Sequence, residues 1–382
     1  MLLLLPLSRG YIKAVSCLSL GHNDFGGFTL TGIMIVATEP YSGKTTILLG
    51  LALELISRGY KVGYMKPVGT LPVNTESGKV DADALFAKQI LSLEDETSDI
   101  TPIYLTAESL SRYMRKRPKN IVVRVSGSYV RIREGKDFVL IEGGQNLTHG
   151  KLIGLSAPEL ANILDAHVLL LETYAEEVTV DRILFARVVF GERLLGVVIN
   201  WIPENRMKYV RNNLTRFLSG EGIETIGLMG IDDVLRSISI GDLAQALSGE
   251  IICAKERARE LVQNMMVGAM GKEQALKLFR SRSDKVVITG GDRTDIQLAA
   301  LETPTKCLIL TGGHKPPSSV VAQAEELGVP IILVQCDTAS AVEIVDEAIS
   351  KQKGNNETKI SRMRGIIRDE IDFGFIEKAH FS

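Results

Sequence analysis

Residues 37–46 read ATEPYSGKTT, and the reading of this stretch decides the fold. Its last four residues, Gly43-Lys44-Thr45-Thr46, match the end of the phosphate-binding pattern G-x-x-x-x-G-K-[ST], but Thr38 stands where that pattern has its first glycine. The flanks settle whether the tripeptide is chance. IMIVA (33–37) before it is short, apolar and rich in β-branched residues. ILLGLALELISRGYKV after it is apolar enough for a buried helix, with Gly59 placed to end that helix. Strand, tight loop and helix form the setting the motif needs. Unpaired backbone N–H groups at the helix N-terminus carry partial positive charge and favour an anion. Gly43 lets the backbone approach a phosphate, with Ser42 and Thr46 beside it in the cradle. Lys44 reaches the outer phosphates, and the Thr45 hydroxyl is placed for Mg²⁺. Pro40 stiffens the loop by fixing one φ.

The same alternation continues outward. KVGYMKPVG (61–69) reads as a second strand ending at Lys66-Pro67, and VDADALFAKQILSL opens a helix with Asp81 and Asp83 at its N-terminal end. Asp81 is the better-placed N-cap of the two. DFVLIEGGQNLTHG (137–150) reads as a buried strand running into a glycine turn, with Glu142 at its C-terminal end, where ligands sit in parallel α/β sheets. AHVLLLETY (166–174), LLGVVINWIP (194–203) and ETIGLMG (224–230) supply further strands. The expected fold is therefore α/β: a P-loop NTPase-type parallel sheet with helices on both faces over residues 34–231. Beyond it, DKVVITGGDRTD (284–295) and KCLILTGGHKPP (306–317) repeat as strand, TGG and polar turn, and IILVQCDT (331–338) adds a third strand. This repeat predicts a second, smaller α/β domain over 232–350. Residues 351–382 read as a charged tail with one amphipathic helix.

The 382 residues carry a net charge of −2, which gives no electrostatic case for nucleic acid. The apolar run of MLLLLPLS is too short for a membrane span or an ordinary signal core. Residues 1–33 are expected to be a disordered leader or a mis-assigned start, with Met34 opening the working protein. The four cysteines (Cys17, Cys253, Cys307, Cys336) are scattered without a CxxC, which points to a reducing, cytoplasmic setting rather than a zinc site. The basic residues Arg112, Arg115, Lys116, Arg117 and Lys119 read as a solvated helix face, and His149 and His314 as turn or surface residues.

Taken together, residues 34–231 resemble the dethiobiotin synthetase branch of P-loop ATPases. That family's loop begins Gly-Thr and ends Gly-Lys-Thr, so Thr38 is expected there and the departure is Ala37. Its Lys-Pro is similar to Lys66-Pro67, its Asp-Ala-Leu to Asp83-Ala84-Leu85, its Val-Glu-Gly-Ala-Gly-Gly to Ile141-Glu142-Gly143-Gly144-Gln145 in changed form, and its asparagine after the fifth strand to Asn200. The resemblance implies Asp83 and Glu142 as Mg²⁺ ligands with Thr45, Lys66 as a substrate and phosphate contact, and Asn200 as a reader of adenine. It implies ATP and Mg²⁺ as cofactors and a homodimer as the assembly. Thr289-Gly290-Gly291-Asp292-Arg293 resembles the DRTGG domain, and the pairing of the two domains resembles the N-terminal half of long bacterial phosphate acetyltransferases. Their catalytic domain takes up about 300 further residues, so acetyl transfer is not expected of the residues in hand.

Lys44 and Lys66 are thus the expected catalytic cations, acting on ATP and an unidentified small-molecule acceptor by positioning and charge stabilisation. One reading is an enzyme that activates a carboxylate by phosphoryl transfer, or a slow ATPase. Another is a nucleotide-dependent sensor whose DRTGG-like domain contacts a second copy or a partner. A cobyrinate-type amidoligase is disfavoured, because no cysteine stands in a glutaminase setting. In the second domain, Thr289, the glycine N–H groups and Arg293 form either a phosphate cradle or plain turns in which Arg293 pairs with Asp292 or Asp295 or bridges a dimer.

Overall fold

A computed structural model describes residues 31–75, 78–116, 118–350 and 357–381. The expected leader lies outside the described residues apart from its last three positions. Six parallel strands make the first sheet: β1 (Thr31–Ala37), β2 (Val62–Met65), β3 (Phe138–Glu142), β4 (His167–Thr173), β5 (Leu194–Ile202) and β6 (Thr225–Gly230), in the order β6-β5-β4-β1-β3-β2. β1 begins at Thr31, ahead of the expected Met34, which lies fully buried in mid-strand. A chain opening at Met34 would lose the residues of β1 that register against Phe138, Val139 and Leu140.

The sheet is covered on both faces, and the pleat shows why its strands read as continuous apolar runs. Ile33, Ile35 and Ala37 pack into one core with Ile47, Leu48 and Leu51 of α1 (Lys44–Ser57). Met34 and Val36, pointing the other way, pack with Val125 and Ile132 of α3 (Ile121–Arg133) and Ile183 of α4 (Glu177–Phe190). Between them in sequence, α2 (Ala82–Ile90) is capped by Asp81, whose carboxylate accepts the Asp83 and Ala84 N–H groups.

A second sheet has the order β7-β11-β10-β9-β8, built from β7 (Glu250–Cys253), β8 (Asn264–Val267), β9 (Lys285–Gly290), β10 (Thr305–Thr311) and β11 (Ile331–Leu333). β7 runs antiparallel to β11, and the rest are parallel. The two TGG stretches end β9 and β10, side by side. One face packs on α5 (Thr294–Leu301) and α6 (Ser318–Leu327), the other on α7 (Thr338–Ser350).

The C-terminal segment departs from the expected tail. It forms two helices, α8 (Glu357–Glu370) and α9 (Phe373–Phe381), and they return to the first sheet. Ile360, Met363 and Ile367 of α8 are buried in the same core as α1. The helices pass closely at Gly50, where a Cβ would stand 2.8 Å from Ile367 Cδ1. Among the described residues no helix is long and apolar enough to cross a membrane.

Candidate functional site

The site lies at the C-terminal ends of β1, β3 and β2, three neighbours in the sheet. The loop after β1 turns through Tyr41 (φ 59°) and Gly43 (φ 87°) before α1 starts at Lys44. Gly43 thus supplies a left-handed conformation that a side chain disfavours. Lys44 is 8% exposed, and its ammonium donates to the carbonyl of Gln145 at 3.1 Å and, more weakly, to Ser42 Oγ at 3.4 Å. Burial lowers its pKa to about 8, against the pull of Glu142.

Glu142, at the end of β3, is the hub of the crevice. It accepts the Thr45 hydroxyl at 2.8 Å and the Tyr64 phenol at 2.7 Å, and Lys66 Nζ stands 3.9 Å away. Burial raises its pKa, with the Lys66 charge opposing. Lys66 follows β2 and pairs with Asp81 at 2.8 Å and Asp83 at 2.6 Å. Burial alone would lower the Lys66 pKa, but Glu142, Asp83 and Asp81 outweigh it and hold it above the ordinary value. The two aspartates differ in what they have left to give. Asp81 accepts from Lys66 and from the N–H groups of Thr70, Leu71, Asp83 and Ala84, so its oxygens are saturated. Asp83 Oδ1 is buried with no hydrogen-bond partner. Gly143 and Gly144 let the chain after β3 run close: a Cβ at Gly143 would meet the Ile35 carbonyl at 2.9 Å, and one at Gly144 would overlap the His149 ring.

Thr38 has a partner the sequence did not announce. Its hydroxyl donates to Glu172 Oε2 at 2.5 Å, and Glu172 is fully buried at the end of β4. Arg182 of α4 bridges Glu172 and Glu39. The first half of the loop is thereby tied to the neighbouring strand by a buried carboxylate. Asn200 holds the second half: its Nδ2 donates to the Ser42 carbonyl at 3.2 Å, and its Oδ1 accepts the Trp201 N–H at 2.9 Å.

The structure thus gathers Ser42, Gly43, Lys44, Thr45, Thr46, Lys66, Asp83 and Glu142 around one cavity, with Gln145 at its edge. A second cavity shares Tyr41, Gly43 and Thr46 with the first and extends to Asn200 and Trp201. Tyr64, Glu172, Trp201 and His149 were not singled out as site residues from sequence. Of these only Tyr64, two positions before Lys66 on a buried strand, carried a signal in its spacing. His149 Nδ1 is buried without a partner, and burial together with the Lys66 and Lys44 charges lowers its pKa. In the second unit Thr289 donates to the Gly268 carbonyl at 3.1 Å, and Gln297 donates to the Gly290 and Gly291 carbonyls at 3.0 Å each. Arg293 pairs with Asp295 at 3.0 Å and donates to the Met270 carbonyl at 2.9 Å. Thr289 and Arg293 are therefore engaged with protein groups, and Asp292 Oδ1 crowds the position of a Cβ on Gly290.

Residues 31–237 match the family model described as AAA domain. The chain belongs to the AAA-domain family. Residues 242–348 match the DRTGG domain, so a dethiobiotin synthetase-like P-loop domain is followed here by a DRTGG domain. The phosphate acetyltransferase of Deinococcus radiodurans is 25% identical over 363 residues, covering 89% of this chain and 50% of that protein. This AAA-domain chain spans about half the length of the phosphate acetyltransferases it matches. The ATP-dependent dethiobiotin synthetase of Clostridium kluyveri is 31% identical over 115 residues, 29% of this chain and 47% of that protein. Among solved structures, the MinD cell division protein of Aquifex aeolicus aligns at a TM-score of 0.33 and 14% identity, over 54% of this chain and 84% of that one.

Proposed function

We propose that this protein binds Mg·ATP in the crevice and moves the γ-phosphoryl group, either to an acceptor carboxylate or, slowly, to water. The observation that carries the reading is the convergence of Lys44, Thr45, Lys66 and Glu142 at the ends of three adjacent parallel strands. Phosphoryl transfer asks a protein mainly for positioning and fixed charge. Lys44 opens α1 directly after the loop that would wrap the outer phosphates. Lys66 is held protonated by three carboxylates and faces the same cavity. Two buried cations lining one cavity stabilise negative charge there far better than they would in water.

The donor set fits Mg²⁺. Among the described residues no group of three or more His, Cys, Asp or Glu is arranged to hold a metal. Mg²⁺, however, usually leans on one or two carboxylates and completes its shell with phosphate oxygens and water. Thr45, Glu142 and the orphaned Asp83 oxygen are what the protein would offer. When bound, the ion would neutralise charge on the transferring phosphate. The experiment is phosphate release from ATP by the wild type, Lys44→Ala and Glu142→Gln. The reading expects release to fall at least about tenfold in both variants. Equal rates in all three proteins would overturn it.

A second reading is a nucleotide-dependent regulatory module. It is favoured by the return of α8 from beyond the DRTGG domain onto α1, and by similarity to phosphate acetyltransferases that runs through both domains of this chain. A homodimer is supported by the outer face of α4, where Val178, Phe185 and Val188 are exposed, the last at 82%. Burial raises the thiol pKa values of Cys253 and Cys307, the reverse of what a glutaminase nucleophile needs. The same buried free thiols suit a reducing, cytoplasmic setting.

A further inference from the structure

Residues 109–133 carry charge of one sign. They hold eight lysines and arginines and no aspartate or glutamate, in a chain whose net charge is −2. Most of them lie on two helices, Ala107–Arg115 and α3. The first is closed at its N-terminus by a capping box between Thr106 and Ser109, and Tyr113 anchors it on the core beneath. Arg124 and Arg131 are held in place, the one donating to the Pro102 carbonyl at 2.6 Å and the other to Asp99 at 2.8 Å. Arg112, Arg115, Lys116, Lys119 and Arg133 are exposed and, among the described residues, make no salt bridge.

A solvated face accounts for these charges, but not for the apolar side chains set among them. Met114 is 65% exposed and Val123 67%, and Leu110, Val122 and Val130 are exposed as well. Leu110 and Met114 stand one turn apart on the first helix, with Arg112 and Arg115 beside them. On α3 the inner face is Val125, Ser128 and Ile132, so the two-turn step from Val123 to Val130 runs along the outer one. The patch is joined to the crevice by a short strand. Ile103–Tyr104 leads into the first helix and pairs with Val68–Gly69, and the Leu105 N–H donates to the Gly69 carbonyl at 2.9 Å. Val68, Thr70 and Leu71 line the crevice.

We propose that this surface docks an acidic amphipathic segment of another protein, whose carboxylates meet Arg112, Arg115, Lys116 and Lys119 and whose apolar stripe covers Met114 and Val123. The inference stands apart from the nucleotide reading above. The class of partner follows from the composition of the patch. Cations interleaved with apolar groups are matched by apolar groups interleaved with charges of the opposite sign. A stretch without a single carboxylate repels no part of such a partner. Single-stranded nucleic acid would need exposed aromatic rings on which its bases stack, whereas Tyr113 is half-buried and Tyr129 is buried. Helices that lie in a membrane interface carry Trp, Phe or Leu on the inserted face. Here three of the five exposed apolar side chains are valines, too short to reach past the arginines and lysines around them. Met114, the longest of the five, is of the type that adapts to the apolar face of a protein partner.

The test uses the full chain and fluorescence anisotropy of a labelled helical peptide built of Leu, Glu and Ala in amphipathic order, beside its scramble of the same composition. The scramble has the charge without the apolar stripe. The expected result is that the amphipathic peptide binds at least about tenfold more tightly than the scramble, and that it alone slows amide exchange across 107–116 and 121–131. The double variant Arg115→Glu, Lys116→Glu weakens it about tenfold or more. Met114→Ser and Val123→Ser each weaken the amphipathic peptide and leave the scramble unchanged. All four positions are exposed, so the variants keep the fold and a lost affinity reports the surface itself. Equal binding of the two peptides, or undiminished binding to the charge-reversed variant, would overturn the proposal and leave a plain solvated face. Phosphatidylglycerol vesicles and a uridine homopolymer are measured in parallel. Tighter binding to either of them than to the amphipathic peptide, lost in the charge-reversed variant, would also overturn it and assign the surface to a membrane or to RNA.

Discussion

The hydroxyl of Thr38 occupies the place where the general phosphate-loop pattern has glycine, and removing it tests what holds this loop. Thr38→Val keeps the shape and deletes one hydrogen bond, the 2.5 Å donation to Glu172 Oε2. Glu172 is fully buried, and its charged partner, Arg182, sits at 3.3 Å. A hydrogen bond to a charged group contributes about 1.5–3 kcal/mol, and a buried carboxylate left short of donors bears the full desolvation cost. The expected loss is therefore about 2 kcal/mol. With a urea dependence near 3 kcal/mol/M, that moves the midpoint by roughly 0.7 M. For a unit of about 200 residues it lowers the melting temperature by roughly 4–8 °C. Burial already raises the Glu172 pKa, and losing Thr38 raises it further. The assay is urea unfolding followed by Trp201 fluorescence, for Thr38→Val, Glu172→Gln and the double variant. The hydrogen bond requires a coupling of at least about 1 kcal/mol between the two positions. Additive effects would refute the reasoning, and the loop's order would have to come from Asn200 and Lys44 alone.

Three further outcomes are expected. Gly50→Leu forces a side chain into Ile367 and Met363 of α8, where a Cβ alone would stand at 2.8 and 3.0 Å; a stability loss of about 1–3 kcal/mol and faster exchange across 357–370 are expected, and unchanged exchange would contradict the packing. Lys285 is fully buried, bonded to the Pro304 carbonyl, and burial lowers its pKa to about 8, so between there and the ordinary value near 10.4 the unfolded chain binds the extra proton. Stability therefore rises with pH in that window, and the balance between wild type and Lys285→Met should shift toward wild type from pH 8 to 10; a constant difference would show that the lysine does not titrate there. If the outer face of α4 joins two copies, Val188→Glu should convert a dimer to a monomer in sedimentation, and an unaltered dimer would place the contact elsewhere.

Much of the frame was legible because the cues were local. IMIVA, the glycine at 43, the apolar α1 and the buried strand ending in Glu142 each declare themselves within a few residues, and so did Asp81 as a helix cap. What stayed hidden depends on contacts distant in sequence. Thr38 was expected from the resemblance, but what its hydroxyl does was not, because its partner lies at 172. Tyr64 drew no separate reading within its strand, because the carboxylate its phenol meets, Glu142, lies 78 residues away. Ile360, Met363 and Ile367 sit among charges, so 357–370 reads as amphipathic, but no local pattern says that its apolar face belongs against α1. For Arg293 both readings were open, and the pairing with Asp295 is the one the structure displays.

The central claim is that the altered loop binds nucleotide through Lys44. Its most direct test is thermal unfolding of the full chain and of Lys44→Ala, with and without Mg·ATP. At a hundredfold excess over Kd, binding adds ~2.7 kcal/mol. For a unit of about 200 residues that is a rise of roughly 5–10 °C in the wild type, and the account predicts that this rise disappears in Lys44→Ala. No rise in the wild type, or the same rise in both proteins, would contradict it.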